Sequence, residues 1–412
     1  MKRILIIEDD TLIASVYRTR YSAAGFETRI APDGEVGLEL VRTFRPDLVH
    51  LDLQVPKVNG ADVIKHIRSQ PELKSLPIIV LTNTYQNRLV KIAMEAGATE
   101  CVSKATCTPK MMLEIVEKYR ARASAAPTAP GAPPTPEAAP EGPSSPPAAA
   151  ASTSLDTRSL DTRETQRHAG FQVELQRDFL KRAPQMLAAL RDRVEPLLRA
   201  ETPAAQVPEL SELCRAAHSF AGHAGIAGFR ELAQMSSVLG ALLGELLEKP
   251  EELTPSSLRT IVDACDSLAA LCEPSTDSTP ETAAAAVVLV VDDDAICRRA
   301  GRLALARLNV ATISVDDPRL ALRLLAENPF SLIFLDVEMP GMNGFDLCKQ
   351  LRMLPANQAT PVVFVTSLAG FESRERASAS GGNDLIAKPF PPMELAVKAL
   401  SLLRRTYVSR QP

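Results

Sequence analysis

The sequence predicts a multidomain protein in which two α/β domains with doubly wound parallel sheets flank a central all-α helical bundle. Two observations predict this fold class: an internal repeat at a constant offset, and a middle stretch with a different hydrophobic period. With 412 residues, the chain is too long for one core, and its length favours about three domains.

The internal repeat joins the two ends of the chain. Residues 6–10 return in similar form as residues 290–294, and Asp52 returns as Asp336, always 284 positions later. No insertion separates the motifs of one copy relative to the other, so the two ends are predicted to share one fold. The same offset relates Thr82 to Thr366, Gly97 to Gly381 and Lys104 to Lys388.

Short runs of Ile, Val and Leu alternate, in each copy, with amphipathic stretches of helical length. Continuous apolar runs are typical of strands buried on both faces, and their alternation with helices indicates a parallel sheet. The predicted strands are 4–7, 48–51, 78–81, 287–291, 332–335 and 362–365.

The middle of the chain lacks this strand pattern. Its apolar residues fall at helical spacing, as in Phe171, Leu175 and Phe179, and both Pro208 and Pro255 are expected in the first turn of a helix. Segments rich in Ala, Pro, Ser and Thr are predicted to be linkers. The predicted division is 1–122 (first α/β domain), 123–164 (linker), 165–272 (helical bundle), 273–286 (linker) and 287–408 (second α/β domain).

Composition argues against several classes of function. The net charge is −4 and there is no Trp, so neither nucleic acid nor an anionic membrane is expected as a partner. The seven cysteines are scattered, which is typical of buried thiols in a reducing compartment. No apolar run is long enough for an export signal or a membrane span, and a cytoplasmic location is expected.

Polar side chains follow the predicted strands at their carboxyl ends. Glu8 and Asp9 follow the first strand, Asp52 ends the third, Thr82 the fourth, and Lys104 follows the fifth. These ends converge on one crevice of a doubly wound sheet. Clustered carboxylates repel each other unless a hard cation binds, so the pattern predicts Mg²⁺. The cation and the lysine would neutralise a phosphoryl group on the central Asp.

With these motifs, each copy resembles the receiver domain of response regulators, which has a flavodoxin-like fold. The resemblance covers about 1–122 and 287–408, and it implies that Asp52 and Asp336 are the phospho-acceptors. By the same resemblance, the metal ligands are Glu8, Asp9, Asp52 and the Gln54 carbonyl in the first copy, and Asp292, Asp293, Asp336 and the Glu338 carbonyl in the second. The resemblance also implies that Thr82 and Thr366 are switch hydroxyls. Lys104 and Lys388 would contact the phosphate.

The two copies differ beside this lysine. Lys388 precedes Pro389, and the family's Lys-Pro peptide bond is typically cis. Lys104 precedes Ala105, for which a trans bond is expected.

The residues around His218, in the stretch 213–225, resemble the histidine-phosphotransfer domain, a four-helix bundle that displays one reactive His. The resemblance implies that His218 carries a phosphoryl group. Gly222, one helical turn later, would leave room for a receiver to approach. His223 is expected to point elsewhere and to be structural.

Together these features favour a phosphorelay component in which phosphate moves among Asp52, His218 and Asp336. A separate histidine kinase would supply it, since neither a kinase signature nor a DNA-binding output domain is visible. Other receiver or phosphotransfer proteins stay open as partners. Such a protein is not an enzyme beyond the self-phosphorylation and self-dephosphorylation of its receivers. The alternative is a non-catalytic adaptor with an inert His218, because Ala221 stands where the family commonly has Lys.

Overall fold

The computed structural model describes residues 2–82, 87–104, 107–124, 157–200, 202–273, 286–367 and 371–408. Within them, the predicted strands and the predicted fold class are confirmed. Most of the predicted linker 123–164, and nearly all of 273–286, lies outside the described residues.

The first α/β domain is built on a parallel sheet with strand order β2-β1-β3-β4-β5. Its central strands are buried on both faces, which explains their continuous Ile, Val and Leu content. The strands are β1 (Arg3–Ile7), β2 (Glu27–Ala31), β3 (Leu48–Asp52), β4 (Ile78–Thr82) and β5 (Glu100–Ser103). The helices are α1 (Thr11–Ala23), α2 (Gly34–Phe44), α3 (Gly60–Ser69), α4 (Asn87–Ala96) and α5 (Pro109–Ser124).

The helices of the bundle follow, and two of them begin with a Thr cap before a Pro. They are α6 (Thr157–Arg199), α7 (Pro203–Ala227), α8 (Arg230–Glu248) and α9 (Pro255–Cys272). The Thr254 hydroxyl accepts a hydrogen bond from the Ser257 amide at the start of α9, so the expectation for Pro255 is confirmed.

Two features of the bundle differ from the sequence analysis. Pro208 lies inside α7 and does not open it, because Thr202 caps the helix earlier and Pro203 occupies its first turn. The first helix of the bundle also begins before residue 165, at Thr157. The residues between these two positions include Arg158, Arg163 and Glu164, which favour helix without needing a core.

The second α/β domain repeats the first, with strand order β7-β6-β8-β9-β10. Its strands are β6 (Val287–Val291), β7 (Ala311–Val315), β8 (Leu332–Asp336), β9 (Val362–Thr366) and β10 (Asp384–Ala387). Its helices are α10 (Ala295–Ala306), α11 (Pro318–Glu327), α12 (Gly344–Leu351), α13 (Phe371–Ala379) and α14 (Pro392–Val408).

Both α/β domains pack against the bundle, but at different elements. The first places α1 against α7, where Ile226 of the bundle joins the apolar cluster that contains Ile13 and Tyr17. The second places α14 against α8 and α9, and one apolar core runs through the bundle into that domain. The two domains therefore use different helices of the bundle.

Candidate functional site

The carboxyl edge of the first sheet gathers three carboxylates and one lysine. Asp52 ends the central strand β3, Glu8 and Asp9 follow β1, and Lys104 follows β5. One oxygen of each acid lies within 4.8 Å of those of the other two. The Lys104 Nζ atom is 2.5 Å from the Asp52 Oδ2 atom and 3.1 Å from the Glu8 Oε2 atom. Glu8, Asp52 and Lys104 are buried, whereas Asp9 is exposed.

The pKa values of the buried acids reflect this crowding. Burial raises the pKa of Glu8 to about 8, against the pull of Lys104 and with a further push from the Asp52 charge. Burial alone would also raise the pKa of Asp52, but Lys104 and His218 outweigh it and hold this pKa below its ordinary value. The site therefore favours a charged Asp52 and disfavours a second charge on Glu8.

The second sheet carries the same constellation. Asp292, Asp293 and Asp336 meet the same 4.8 Å limit, and the Lys388 Nζ atom lies 2.8 Å from Asp336 Oδ2 and 3.0 Å from Asp292 Oδ2. Here burial raises the pKa of Asp336, although Lys388 opposes the shift. This direction is opposite to that at Asp52, which His218 also contacts.

His218 projects from α7 towards the first sheet. Its Nε2 atom is 3.8 Å from the Asp52 Oδ2 atom, and its side chain is only 16% exposed. The predicted histidine and one predicted aspartate, which are far apart in sequence, thus face each other within one chain. For Asp336, the described polar contacts are with Lys388 and the Glu338 amide, both in its own domain.

Around His218 and Asp52, the first receiver contacts two neighbouring faces of α7. Gly222 has the role expected of it, since a Cβ atom there would lie 2.8 Å from the Ile13 Cδ1 atom. The Ser219 hydroxyl donates to the Asp10 carboxylate at 3.2 Å. The expectation for His223 is wrong, because its Nε2 atom lies 3.6 Å from Asp10 Oδ2. The edge of the domain is wide enough to cover a second face of the helix.

The remaining predicted residues lie at the same edges. Thr82 and Thr366 end β4 and β9 and are buried, and their carbonyls accept the Lys104 and Lys388 amides at 2.9 and 2.8 Å. The Gln54 and Glu338 amides donate to Asp52 and Asp336 at 3.2 and 3.3 Å. The Lys388-Pro389 bond is cis, as expected, whereas Ala105 lies outside the described residues.

Sequence reasoning missed the contact residues Asp10, Ile13 and Ser219. They lie at the start of α1 and in the middle of α7, where an acid, an Ile and a Ser are ordinary helix residues. The one available signal was Gly222 inside a helix, which is unfavourable there unless something packs closely against it.

Comparison with known proteins agrees with this architecture. A family model described as the response regulator receiver domain matches residues 4–117 and 288–400, more than half of the chain, and one described as the Hpt domain matches residues 174–271. The chain belongs to the response regulator receiver family, with two receiver domains and an Hpt domain between them. This is the domain set of two-component phosphorelay signalling.

Individual relatives match single receivers. The chain is 36% identical over 129 residues to the transcriptional regulatory protein ResD of Bacillus subtilis, spanning 31% of this chain and 51% of ResD. It is 30% identical over 118 residues to the polar-differentiation response regulator DivK of Brucella anthropi, spanning 29% of this chain and 95% of DivK. The chemotaxis response regulator CheY4 of Vibrio cholerae, a solved structure, matches at 30% identity and a TM-score of 0.28, over 28% of this chain and 98% of that one.

The chain thus spans about half the length of ResD, the larger of these two relatives. Of the helices in the described residues, none is long and apolar enough to cross a membrane.

Proposed function

We propose that this protein passes a phosphoryl group between Asp52 of its first receiver and His218 of its Hpt domain, within one chain. The observation that carries the proposal is the 3.8 Å separation of the His218 Nε2 and Asp52 Oδ2 atoms. A phosphoryl group on either residue would lie between the two, where one atom attacks and the other leaves in line.

The transfer balances without any further reactant. The Nε2 lone pair of neutral His218 attacks the phosphorus of the aspartyl phosphate, a P–N bond forms, and the P–O bond to Asp52 breaks. The carboxylate leaves with the bonding electrons, while the proton on Nδ1 stays on the ring. Lys104 stabilises the departing carboxylate, because its ammonium already contacts Asp52 at 2.5 Å. The reverse step returns the group to Asp52.

The receivers are also proposed to bind Mg²⁺. The donor set fits this hard cation, since each crevice offers three carboxylates whose oxygens lie within 4.8 Å of one another. Glu8, Asp9, Asp52 and the Gln54 carbonyl would hold it in the first receiver. Asp292, Asp293, Asp336 and the Glu338 carbonyl would do so in the second. When bound, the cation supplies positive charge to the phosphoryl oxygens.

The positively charged lysine beside each aspartate supports Asp52 and Asp336 as phospho-acceptors. Thr82 and Thr366 are proposed as the switch hydroxyls of the same two sites. Both aspartates are buried at the centre of a sheet edge and contact a lysine, so an added phosphoryl group would meet an ammonium there. We propose that a separate histidine kinase charges the protein, and that the receivers also take phosphate from small donors and lose it by hydrolysis.

Covering of His218 by the first receiver favours this function over the adaptor alternative. An adaptor with an inert histidine gives no reason for the imidazole to face the acceptor carboxylate. The proposed domain division, with receivers at 1–122 and 287–408 and the bundle at 165–272, agrees with α9 ending at Cys272 and β6 beginning at Val287.

We expect small acyl-phosphate or phosphoramidate donors to label both receivers only with Mg²⁺ present, because clustered carboxylates repel an anionic donor until a cation binds. Intact-mass analysis would compare four chains, all of which carry His218→Gln and so lack the competing histidine. One has both aspartates, one carries Asp52→Asn, one carries Asp336→Asn, and one carries both substitutions. EDTA should reduce labelling by about tenfold or more. Equal labelling in EDTA, or a labelled double variant, would contradict the assignment.

A further inference from the structure

The surface at the start of the first helix differs in exposure between the two receivers, and we call this surface the rim. In the first, Ile13 at the start of α1 lies under α7 and is 2% exposed. In the second, the corresponding stretch is Asp294, Ile296 and Cys297, which we call the open rim. Ile296 stands at the position of Leu12, which is half-buried, and the half-buried Cys297 stands at that of Ile13. Ile296 is 78% exposed, and Asp294 is exposed as well. The histidine-bearing helix α7 thus covers the first rim, whereas Ile296 of the second rim is open to solvent.

Buried polar contacts fix the second receiver to the bundle. The Ser256 hydroxyl of α9 lies 3.0 Å from the Leu385 carbonyl of β10 and 2.6 Å from the Glu394 carboxylate of α14. The Thr260 hydroxyl donates to the same carboxylate at 3.0 Å, and the Met393 amide donates to Glu245 at 2.8 Å. Separation of the two domains would break these hydrogen bonds and leave the buried polar groups without these partners.

The apolar part of this interface is larger. The side of the second sheet that faces α14 shares one core with the bundle, and the α14 residues from Met393 to Leu400 are buried almost without exception. Such a core resembles the interior of a single domain, and pulling it apart would expose its apolar surface to water. Asp336 therefore stays on the α8 and α9 side of the bundle, whereas His218 lies on α7 under the first receiver.

We propose that Asp336 exchanges phosphoryl groups with His218 of a second copy of this chain, and not with His218 of its own, and that the open rim receives α7 of that copy. This inference rests on the proposed function. The α7 helix fits because it already lies on the corresponding rim of the first receiver. Asp294 repeats the acid that faces Ser219 and His223 there, which preserves a carboxylate acceptor for the Ser219 hydroxyl.

The chemistry of this transfer is that of the first. The P–N bond at His218 Nε2 breaks, and the imidazole, protonated at Nδ1, leaves as a neutral ring with the bonding electrons. A carboxylate oxygen of Asp336 supplies the electron pair for the new P–O bond. Access to α7 requires the first receiver of the donor copy to move away from the bundle.

The test uses two full-length phosphoryl donors. One carries Asp52→Asn and still has its own Asp336; the other carries Asp52→Asn with Asp336→Asn. Both are charged on His218 with phosphoramidate in EDTA, so that the donor's own Asp336 stays unlabelled. They are then desalted and mixed, with Mg²⁺, with an excess of acceptor chains carrying Asp52→Asn with His218→Gln. The substituted chains differ in mass, so intact-mass analysis follows the phosphoryl group from donor to acceptor.

Both donors should lose their phosphoryl group to the acceptor at equal rates, because a donor's own Asp336 does not compete. Retention on the donor that keeps Asp336 would overturn the inference, and so would a failure of both donors to deliver. Adding Ile13→Glu to the donor should uncover α7 and speed delivery.

A matched pair of acceptor variants locates the docking surface. Ile296→Glu lies on the open rim and should slow delivery about tenfold. Met353→Glu changes a residue of similar exposure, 74%, which lies beyond the carboxyl end of α12 and outside the open rim, and it should leave the rate unchanged. Equal rates for the two variants would exclude the open rim. Failure to charge His218 at all would instead contradict the proposed function.

Discussion

A mixture of Asp52→Asn chains and His218→Gln chains should exchange phosphoryl groups between these two residues about 10²-fold to 10³-fold more slowly than a chain with both residues. All chains carry Asp336→Asn, so that only the pair of interest is present. In one chain the two residues face each other at 3.8 Å, and the tether gives an effective concentration around millimolar. Free partners at low micromolar concentration lack this advantage.

After His218 has been charged with phosphoramidate and the donor removed, intact mass follows transfer in the mixture, where the two chains differ in mass. In the control, transfer within one chain leaves the mass unchanged, so phosphorus NMR follows the loss of phosphohistidine. The control is the Asp336→Asn chain alone, whose rate should not change on tenfold dilution because the transfer is unimolecular. If the mixture transfers as fast as this control, the pairing within one chain has no functional role.

Substitution of Lys104 by Met should destabilise the first receiver by about 3–5 kcal/mol in EDTA, the usual cost of removing one partner from a buried ion pair. The ammonium contacts both Asp52 and Glu8, and all three side chains are nearly inaccessible to solvent. Glu8 offsets part of the loss because burial has already raised its pKa to about 8, so it accepts a proton readily. His218 would remain as a polar neighbour of Asp52.

Lys388→Met is the matched control in the second receiver. The Lys388 side chain is 18% exposed, so water can screen the charges it leaves behind, and a smaller loss is expected. Hydrogen exchange of the β3 and β8 amides reports the opening free energy of each receiver separately. If both substitutions lowered the opening free energy equally, burial of the ion pair would not explain the expected difference between Lys104 and Lys388.

The fold and the composition of each crevice were predictable because they depend on local patterns. Asp52 and Asp336 could be assigned to strand ends from runs such as residues 48–51 and 332–335, and parallel strands must bring their carboxyl ends to one edge. Because the repeat has a constant offset, each assignment made in one copy also identified the corresponding residue in the other. Nothing in this reasoning required knowledge of contacts between domains.

The docking of the domains was not predictable in the same way. Ile13 and Asp10 are ordinary residues at the start of a helix, and only the folded surfaces show that they contact α7. The second interface did leave a signal, since six of the nine residues in the stretch 393–401 of α14 are apolar. A helix apolar all round is typical of one covered on both faces. Lys398 masks this pattern, and it is buried against Asp384.

The most direct test of the central claim follows the phosphoryl group on the Asp336→Asn chain by phosphorus NMR with Mg²⁺ present. After charging with phosphoramidate and desalting, a phosphohistidine signal should decay while an acyl phosphate signal appears and then hydrolyses. His218→Gln should abolish the first signal, and Asp52→Asn should leave it long-lived with no second signal. Decay of phosphohistidine to free phosphate at the same rate in the Asp336→Asn chain and in the chain that also carries Asp52→Asn, without acyl phosphate, would contradict transfer between His218 and Asp52.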